Sequence, residues 1–455
     1  MGLVTTNSRV LAGVAVNALG RFWVLAIQIA AVPVLVKAWG AETYGVWLML
    51  SAMPTYIALS DFGFGSAAAV EITRHVQAGD RQAALKSFQS VWLLITGLTV
   101  GLFAILAVLY ALGASGLVPF LQTSRPDIAS AGLAMALTAV LIGQLGLLHG
   151  AYRSTGHYAL GTFLLEIQLP LEAAAIFTTA IIGGGLLQAA LAAVTVRALG
   201  LAVYVLVLRR VEPWIVLGAG RAQWTELRRL RKPALASMGL SLSQAVSIQG
   251  VLLALGVFVS PATAAAFGTA RTLVRAPLQL IGLVTGAIFP ELTAAEARGD
   301  RMLSARLMAA NMMAMPLIVI PASAALIWLG PDGVRLLSHG QLAVSREAFV
   351  WFSIMLALSA AWSVLAQPSL ATNRHHRIAS VYTVLCLAFA ASPAVPLAWP
   401  IIERTAAFAC IAELGMLWLC LAEWRRSAAS GSLRFMMAPG IVLNWLKLRI
   451  NQASS

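Results

Sequence analysis

Long apolar runs separated by short polar stretches dominate this chain. A membrane-crossing helix needs roughly 20 predominantly apolar residues. Twelve runs approach or pass that length: 10–37, 44–70, 88–113, 128–150, 159–182, 186–208, 235–258, 262–289, 307–329, 347–370, 378–399 and 403–424. The pattern predicts an all-α polytopic membrane protein with about 12 transmembrane helices in two six-helix lobes. Runs 44–70 and 262–289 exceed what a bilayer needs, so they are expected to tilt or to extend into water. The longest polar interval, 209–234, divides the runs six and six. This reading assigns 1–208 to a first lobe, 209–234 to a basic linker, 235–424 to a second lobe and 425–455 to a basic amphipathic tail. Trp224, Leu227 and Leu230 share one helical face in the linker, beside Arg228, Arg229 and Arg231. That arrangement predicts a short helix lying on an anionic membrane surface. The stretch 440–450 is too short to span and is expected to lie on the same surface.

A repeat supports the division. Glu71-Ile72-Thr73 followed by Gly79-Asp80-Arg81 returns as Glu291-Leu292-Thr293 followed by Gly299-Asp300-Arg301, 220 positions later in each part. Both copies follow a long apolar run and precede another. Transporters are often built from such repeats, and an even number of spans per half makes them parallel. The tripeptide alone is ordinary loop composition. The shared Glu-x-Thr spacing and the matching place in the order of spans favour duplication, with turns or hinges as the role of the two copies.

Composition narrows the class. Hydrophobic residues make up 60% of the chain, charged residues 11%, and the mean hydropathy is +0.85. A soluble domain carries about 25% charged residues, so most of this surface must face lipid. The formal charge is +14, from 31 Lys and Arg against 17 Asp and Glu. The basic residues sit between apolar runs, as at the rim of a membrane protein, and this argues against a nucleic-acid partner. Their distribution predicts topology. One side of the membrane holds only Lys37, Arg125, Arg335, Arg346 and Arg404, the spans hold Arg21, Arg197, Arg271 and Arg275, and every other Lys and Arg lies on the opposite side. The positive-inside rule then puts both termini and both Gly-Asp-Arg loops in the cytoplasm. The first run contains Arg21 and lacks a small-residue cleavage site, so it is expected to be a retained span. Cys386, Cys410 and Cys420 all lie in late apolar runs, which argues against a disulfide framework or a metal site. No metal or other cofactor is expected.

Charges within spans are costly and must face a partner or a wet cavity. Arg21 in span one and Asp61 in span two fall at similar depth, as a packing pair or as part of a cavity wall. Glu172 and Arg197 repeat the pattern in spans five and six, and there a structural pair is favoured. Arg271 and Arg275 differ. They stand one turn apart in span eight, Gln279 follows one turn later, and no acidic residue occurs between 262 and 289. Like charges at this spacing repel. Two arginines on one face suggest an anionic ligand, most naturally a phosphate; the alternative is that Arg271 reaches towards the outer surface and only Arg275 is deep. Glu413 in span twelve is a lone deep acid, a proton carrier or a partner for one of these arginines. Asn17 and Gln28 in span one, and Ser241, Ser243, Gln244, Ser247 and Gln249 in span seven, suggest that spans one, two, seven and eight line a cavity; interhelical hydrogen bonding is the plainer reading.

Tyr44-Gly45-Val46-Trp47, then Leu59-Ser60-Asp61-Phe62-Gly63-Phe64-Gly65, then Gly79-Asp80-Arg81 resemble polysaccharide flippases. These are the O-antigen and exopolysaccharide translocases of the multidrug/oligosaccharidyl-lipid/polysaccharide exporter superfamily. The resemblance is strongest over residues 20–92. It implies two helical bundles around a central cavity in the bacterial cytoplasmic membrane. It also implies alternating access that carries a polyprenyl-diphosphate-linked oligosaccharide from the inner to the outer leaflet, with a polysaccharide polymerase and a chain-length regulator as partners. Related lipid flippases line the cavity with arginines on the first and eighth spans, which makes Arg21, Arg271, Arg275 and Gln279 the substrate-binding candidates. Asp61, Glu172, Arg197 and Glu413 are the candidates for ion coupling or structural pairing. No G-x-x-x-x-G-K-[ST] motif occurs, so energy would come from an ion, the membrane potential or consumption of product. The rival readings are an ion-coupled multidrug antiporter of the same superfamily, whose cavity should be acidic, and a polyprenyl-linked sugar glycosyltransferase or polymerase. An enzyme needs sizeable outer loops carrying catalytic groups, and the outer segments 114–127 and 330–346 are short.

Overall fold

The structure, a computed structural model, describes residues 2–58, 63–114, 126–372 and 376–428. All regular structure among them is helical. In chain order the helices are α1 (Gly2–Leu50), α2 (Ala52–Ala58), α3 (Phe64–Gln77), α4 (Arg81–Ala114), α5 (Pro126–Ser154), α6 (Tyr158–Glu166), α7 (Gln168–Ile181) and α8 (Leu186–Val211). They continue with α9 (Trp224–Ala245), α10 (Val251–Phe258), α11 (Pro261–Arg298), α12 (Arg301–Leu337), α13 (Arg346–Leu365), α14 (Gln367–Ala371), α15 (His376–Ala391) and α16 (Ile401–Ala428). Ten helical stretches among the described residues are long and apolar enough to cross a membrane. The other two runs are helical in pieces. Run 44–70 is divided among the end of α1, α2 and α3, and run 235–258 is α9, a π-turn at Val246–Gly250, and α10. The protein is a multi-pass, all-α membrane protein.

The polar interval expected between the first two runs is not a loop. It shrinks to one residue, Gly40, at φ 81° and ψ 166°, with helix on both sides. Glycine alone reaches such a conformation without a Cβ penalty. The break leaves backbone groups without helical partners, and Gln341 supplies them. Its Oε1 accepts from the Ala41 N–H at 3.0 Å, and its Nε2 donates to the Val36 carbonyl at 3.3 Å. His339 Nε2 lies 3.2 Å from the Pro33 carbonyl, and the Trp39 indole N–H donates to the Gly184 carbonyl at 2.8 Å.

The chain forms two compact units. The first is Met1–Ala265 with Leu337–Leu342; the second is Ala266–Leu336 with Ala343–Ser455. The core of the first unit includes Ile72, Phe88, Leu147 and Leu148 around the fully buried Tyr152 and Tyr204. These tyrosine rings pack edge to face at 4.7 Å, and the Tyr152 hydroxyl donates to the Tyr204 carbonyl at 2.8 Å. In the second unit Phe267, Phe352 and Phe349 form an aromatic series with centroids 5.4 and 6.0 Å apart. Leu365, Met416, Leu419 and Cys420 pack as a further cluster.

The two Gly-Asp-Arg segments have matching geometry inside their own units. Gly79 and Gly299 both take positive φ, 76° and 70°. The Gly N–H donates to the carbonyl three residues back, at 3.1 Å in each copy, and the Asp N–H to the carbonyl five back, at 3.0 and 2.9 Å. Asp80 Oδ1 accepts from the Ala83 N–H at 2.8 Å, and Asp300 Oδ1 from the Leu303 N–H at 3.0 Å. Glycine thus ends one helix in the left-handed conformation and aspartate caps the next. Even the upstream threonines agree: Thr73 and Thr293 each donate to the carbonyl four residues before them.

The basic interval 209–234 is stitched to the first unit. The Gln89 amide donates to the Val216 carbonyl at 2.9 Å and accepts from the Arg221 N–H at 2.8 Å. Glu226 accepts from Ser87 at 2.7 Å and pairs with Arg229 at 2.8 Å, while Arg229 also reaches Glu71 at 2.9 Å. Glu212 accepts from the Trp214 indole at 2.7 Å and meets His157 at 3.3 Å. Leu230 is buried, Leu227 packs on the same core and Trp224 is exposed. The apolar face expected to meet lipid is therefore mostly taken up by protein. The sequence pattern could not show that α3 and α4 offer a surface for it.

Two matched caps make a quantitative expectation. Asp80→Ala and Asp300→Ala should each cost about 1 kcal/mol of stability. The double variant should cost their sum, because the turns share no partner. Thermal unfolding of the purified protein in detergent checks both statements.

Candidate functional site

α11 begins cleanly. Ser260 Oγ accepts from the Thr263 N–H at 3.1 Å, and Pro261 occupies the first turn, where its missing N–H costs nothing. The helix then carries Arg271, Arg275 and Gln279 on successive turns of one face, all half-buried. The Arg271 guanidinium lies 5.8 Å from the Phe267 ring centroid. Phe267 is itself buried against Phe352. The Tyr382 ring packs on Trp362 of α13 at 5.1 Å. The Trp362 indole N–H donates to the Glu413 carboxylate on α16. The second unit thus carries two arginines on one face of α11 and, on α13, α15 and α16, a deep acid linked to two aromatic residues. Among the described residues, no arginine forms an ion pair with Glu413. Each guanidinium has five N–H donors in a planar fork suited to phosphate or carboxylate oxygens.

The remaining candidates lie in the first unit. Arg21 is exposed on α1. Asp61, its expected partner, lies outside the described residues. Another acid comes close to that point: the Glu166 carboxylate packs against Gly20, where a Cβ would come within 2.2 Å of Oε2. Glu172 and Arg197 meet directly, Oε2 to Nη2 at 2.5 Å, with side chains 15% and 10% exposed. Among the described residues, Arg197 Nε has no hydrogen-bond partner. The pair joins α7 to α8. Among the described residues no group of three His, Cys, Asp or Glu could hold a metal ion. Trp362 and Tyr382 were not singled out from the sequence. An aromatic in an apolar run looks like ordinary core until the helix that it faces is known.

No protein-family model and no curated protein sequence matches the chain. Solved structures do. One described as the inward-facing conformation of a multidrug resistance MATE family transporter of the MOP superfamily aligns at TM-score 0.70 and 13% identity, over 90% of this chain and 96% of that one. The fold is that of the MATE transporters. A variant of the Vibrio cholerae MATE transporter VcmN aligns at TM-score 0.64 and 15% identity, over 94% and 98%. A MATE structure in the bent conformation aligns at 0.57 and 13%, over 94% and 95%. The fold expectation of about twelve membrane helices therefore stands.

The buried pair is open to a direct test. Glu172→Ala should destabilise the protein by about 3–5 kcal/mol, because it strands Arg197, whereas Glu172→Leu/Arg197→Leu should recover most of that loss. Thermal unfolding of the two variants checks both statements, and a double variant as unstable as Glu172→Ala would show that the pair does more than fill its site.

Proposed function

We propose that this chain is a transporter that moves its cargo across the membrane by alternating access, and that the cargo is anionic. The MATE-type fold supports the first part. The fold comparisons favour ion-coupled multidrug antiport over lipid-linked sugar translocation, because the first structure described above is itself called a multidrug resistance transporter. The second cargo class, a polyprenyl-diphosphate-linked oligosaccharide, rests on residues rather than on fold. The observation that carries it is the arginine pair. Arg271 and Arg275 stand one turn apart, half-buried, on a helix face without an acid between 262 and 289. A site for cationic drugs would place carboxylates there instead. A diphosphate supplies the oxygens for two planar forks, and the resemblance over Tyr44–Trp47 and Leu59–Gly65 points to the same cargo. On this reading the sugars need a wet cavity and the polyprenyl tail stays in lipid. The cell membrane, the cytoplasmic placement of both termini, and a polymerase and chain-length regulator as partners belong to this proposal as well.

Hydrogen bonds to charged groups are worth about 1.5–3 kcal/mol each. Arg275→Ala should therefore lower transport by roughly tenfold or more while protein level and membrane insertion are kept. The assay compares surface polysaccharide and drug resistance in a deletion strain complemented with each form. Loss of polysaccharide selects the flippase reading. Loss of drug resistance with normal polysaccharide selects the antiporter, and no loss of either removes Arg275 from the cargo site.

A further inference from the structure

The break in α1 at Gly40 is covered by a turn from far along the chain. Residues 338–341 fold back on themselves, and the Gln341 N–H donates to the Ser338 carbonyl at 3.0 Å. Both central residues take positive φ, His339 at 50° and Gly340 at 79°. Glycine does so freely, whereas histidine does so under strain. Among the described residues, His339 is the only non-glycine with positive φ. Such strain persists only where the surroundings enforce it, and it clusters in parts that switch. The enforcement comes from both ends of the turn. At its base Ser338 and Leu342 are buried, and Ser338 Oγ accepts from the Leu342 N–H at 3.0 Å. At its tip Gln341 bonds the Ala41 N–H and the Val36 carbonyl, and His339 Nε2 reaches the Pro33 carbonyl.

The base is firm, but His339, Gly340 and Gln341 are exposed. The bonds at the tip join neutral groups, and water can replace each of them at little net cost. Gly40 has no side chain to obstruct separation; a Cβ there would meet Gln341 Oε1 at 3.7 Å. Leu336 before the segment and Ala343 after it belong with the second unit. A displacement of α12 or α13 is therefore transmitted to the turn through the backbone on either side.

We infer that the 338–341 turn is a reversible latch on the Gly40 break: Gln341 and His339 hold residues 33–41 in one state of the transport cycle and release them in another. Release lets His339 relax, so strain in the seated turn favours letting go. The latch rests on the alternating-access reading for its place in a cycle, but not for the opening itself. A permanent cap would make the same bonds and would open only when the unit unfolds.

The test uses the full chain. In nanodiscs, spin labels on Glu42→Cys and Ala343→Cys, both exposed positions, report the seating of the turn; the native cysteines 386, 410 and 420 are buried. A latch predicts a short and a long separation in exchange. Gln341→Ala should raise the long-to-short ratio about fivefold or more, the effect of losing one net hydrogen bond. A single short separation, unchanged by Gln341→Ala, would overturn the inference. In proteoliposomes, Ala41→Cys/Gln341→Cys is joined by a short bis-thiosulfonate reagent. Movement of a fluorescent cationic drug and of undecaprenyl-diphosphate-linked sugar is then followed. Whichever probe the native protein moves should stop in the joined variant and resume on reduction, while Ala41→Cys treated alike keeps its rate. Transport at the native rate by the joined protein would equally sink the latch. If the native protein moves neither probe, the cargo reading fails, and the spin-label separations alone decide the latch.

Discussion

The hydrocarbon interior of a bilayer offers no water to an unpaired backbone group, and this constraint shapes the rest of the molecule. It explains why every described regular element is a helix and why departures from helix are so closely compensated. At Gly40 the chain leaves helical geometry for one residue, and the Gln341 amide meets a carbonyl and an N–H on the two sides of the break. At the two Gly-Asp-Arg turns, glycine closes one helix and aspartate opens the next, so neither turn needs a partner from elsewhere. Side chains obey the same rule. Glu172 and Arg197 pair with each other, and Glu413 takes a hydrogen bond from the Trp362 indole.

Much of the fold could be read from the chain alone, because span length and loop charge report directly on the bilayer. All twelve apolar runs contain helix among the described residues, and the repeat detected from a few residues returns as matching hydrogen bonds. Sequence reasoning went astray where the outcome depends on a surface it could not see. The interval 38–43 looks like a loop because Gly40 is a breaker, yet Gln341, some 300 residues away, lets the helix resume at once. Leu227 and Leu230 look like a lipid-facing stripe, yet α3 and α4 bury them. Their polar neighbours Glu226 and Arg229 are held by Ser87 and Glu71.

The candidate site was legible in its charges and hidden in its supports. Arg271 and Arg275 stand out because cations in an apolar run are rare and costly. Glu172 and Arg197 could be paired by depth alone. Trp362 and Tyr382 carry no such mark, since aromatic residues are common in spans whatever their work. Their roles appear only when α13, α15 and α16 are seen side by side. The setting of the arginines also separates the two kinds of support for a cargo. Fold likeness at 13–15% identity speaks for the architecture, whereas the character of the cargo has to be sought in side chains.

The segment Leu337–Leu342 has a consequence for how the protein can be divided. It follows α12 in the chain, yet it belongs with the first compact unit, while the residues on both sides of it belong with the second. The units are therefore interleaved along the polypeptide. A fragment ending at Ala265 would lack Gln341, and the backbone on both sides of Gly40 would lose its outside partner. During synthesis the first half must wait, with that break uncapped, until some 75 further residues have been made. Completion of the first unit is thereby tied to arrival of the second.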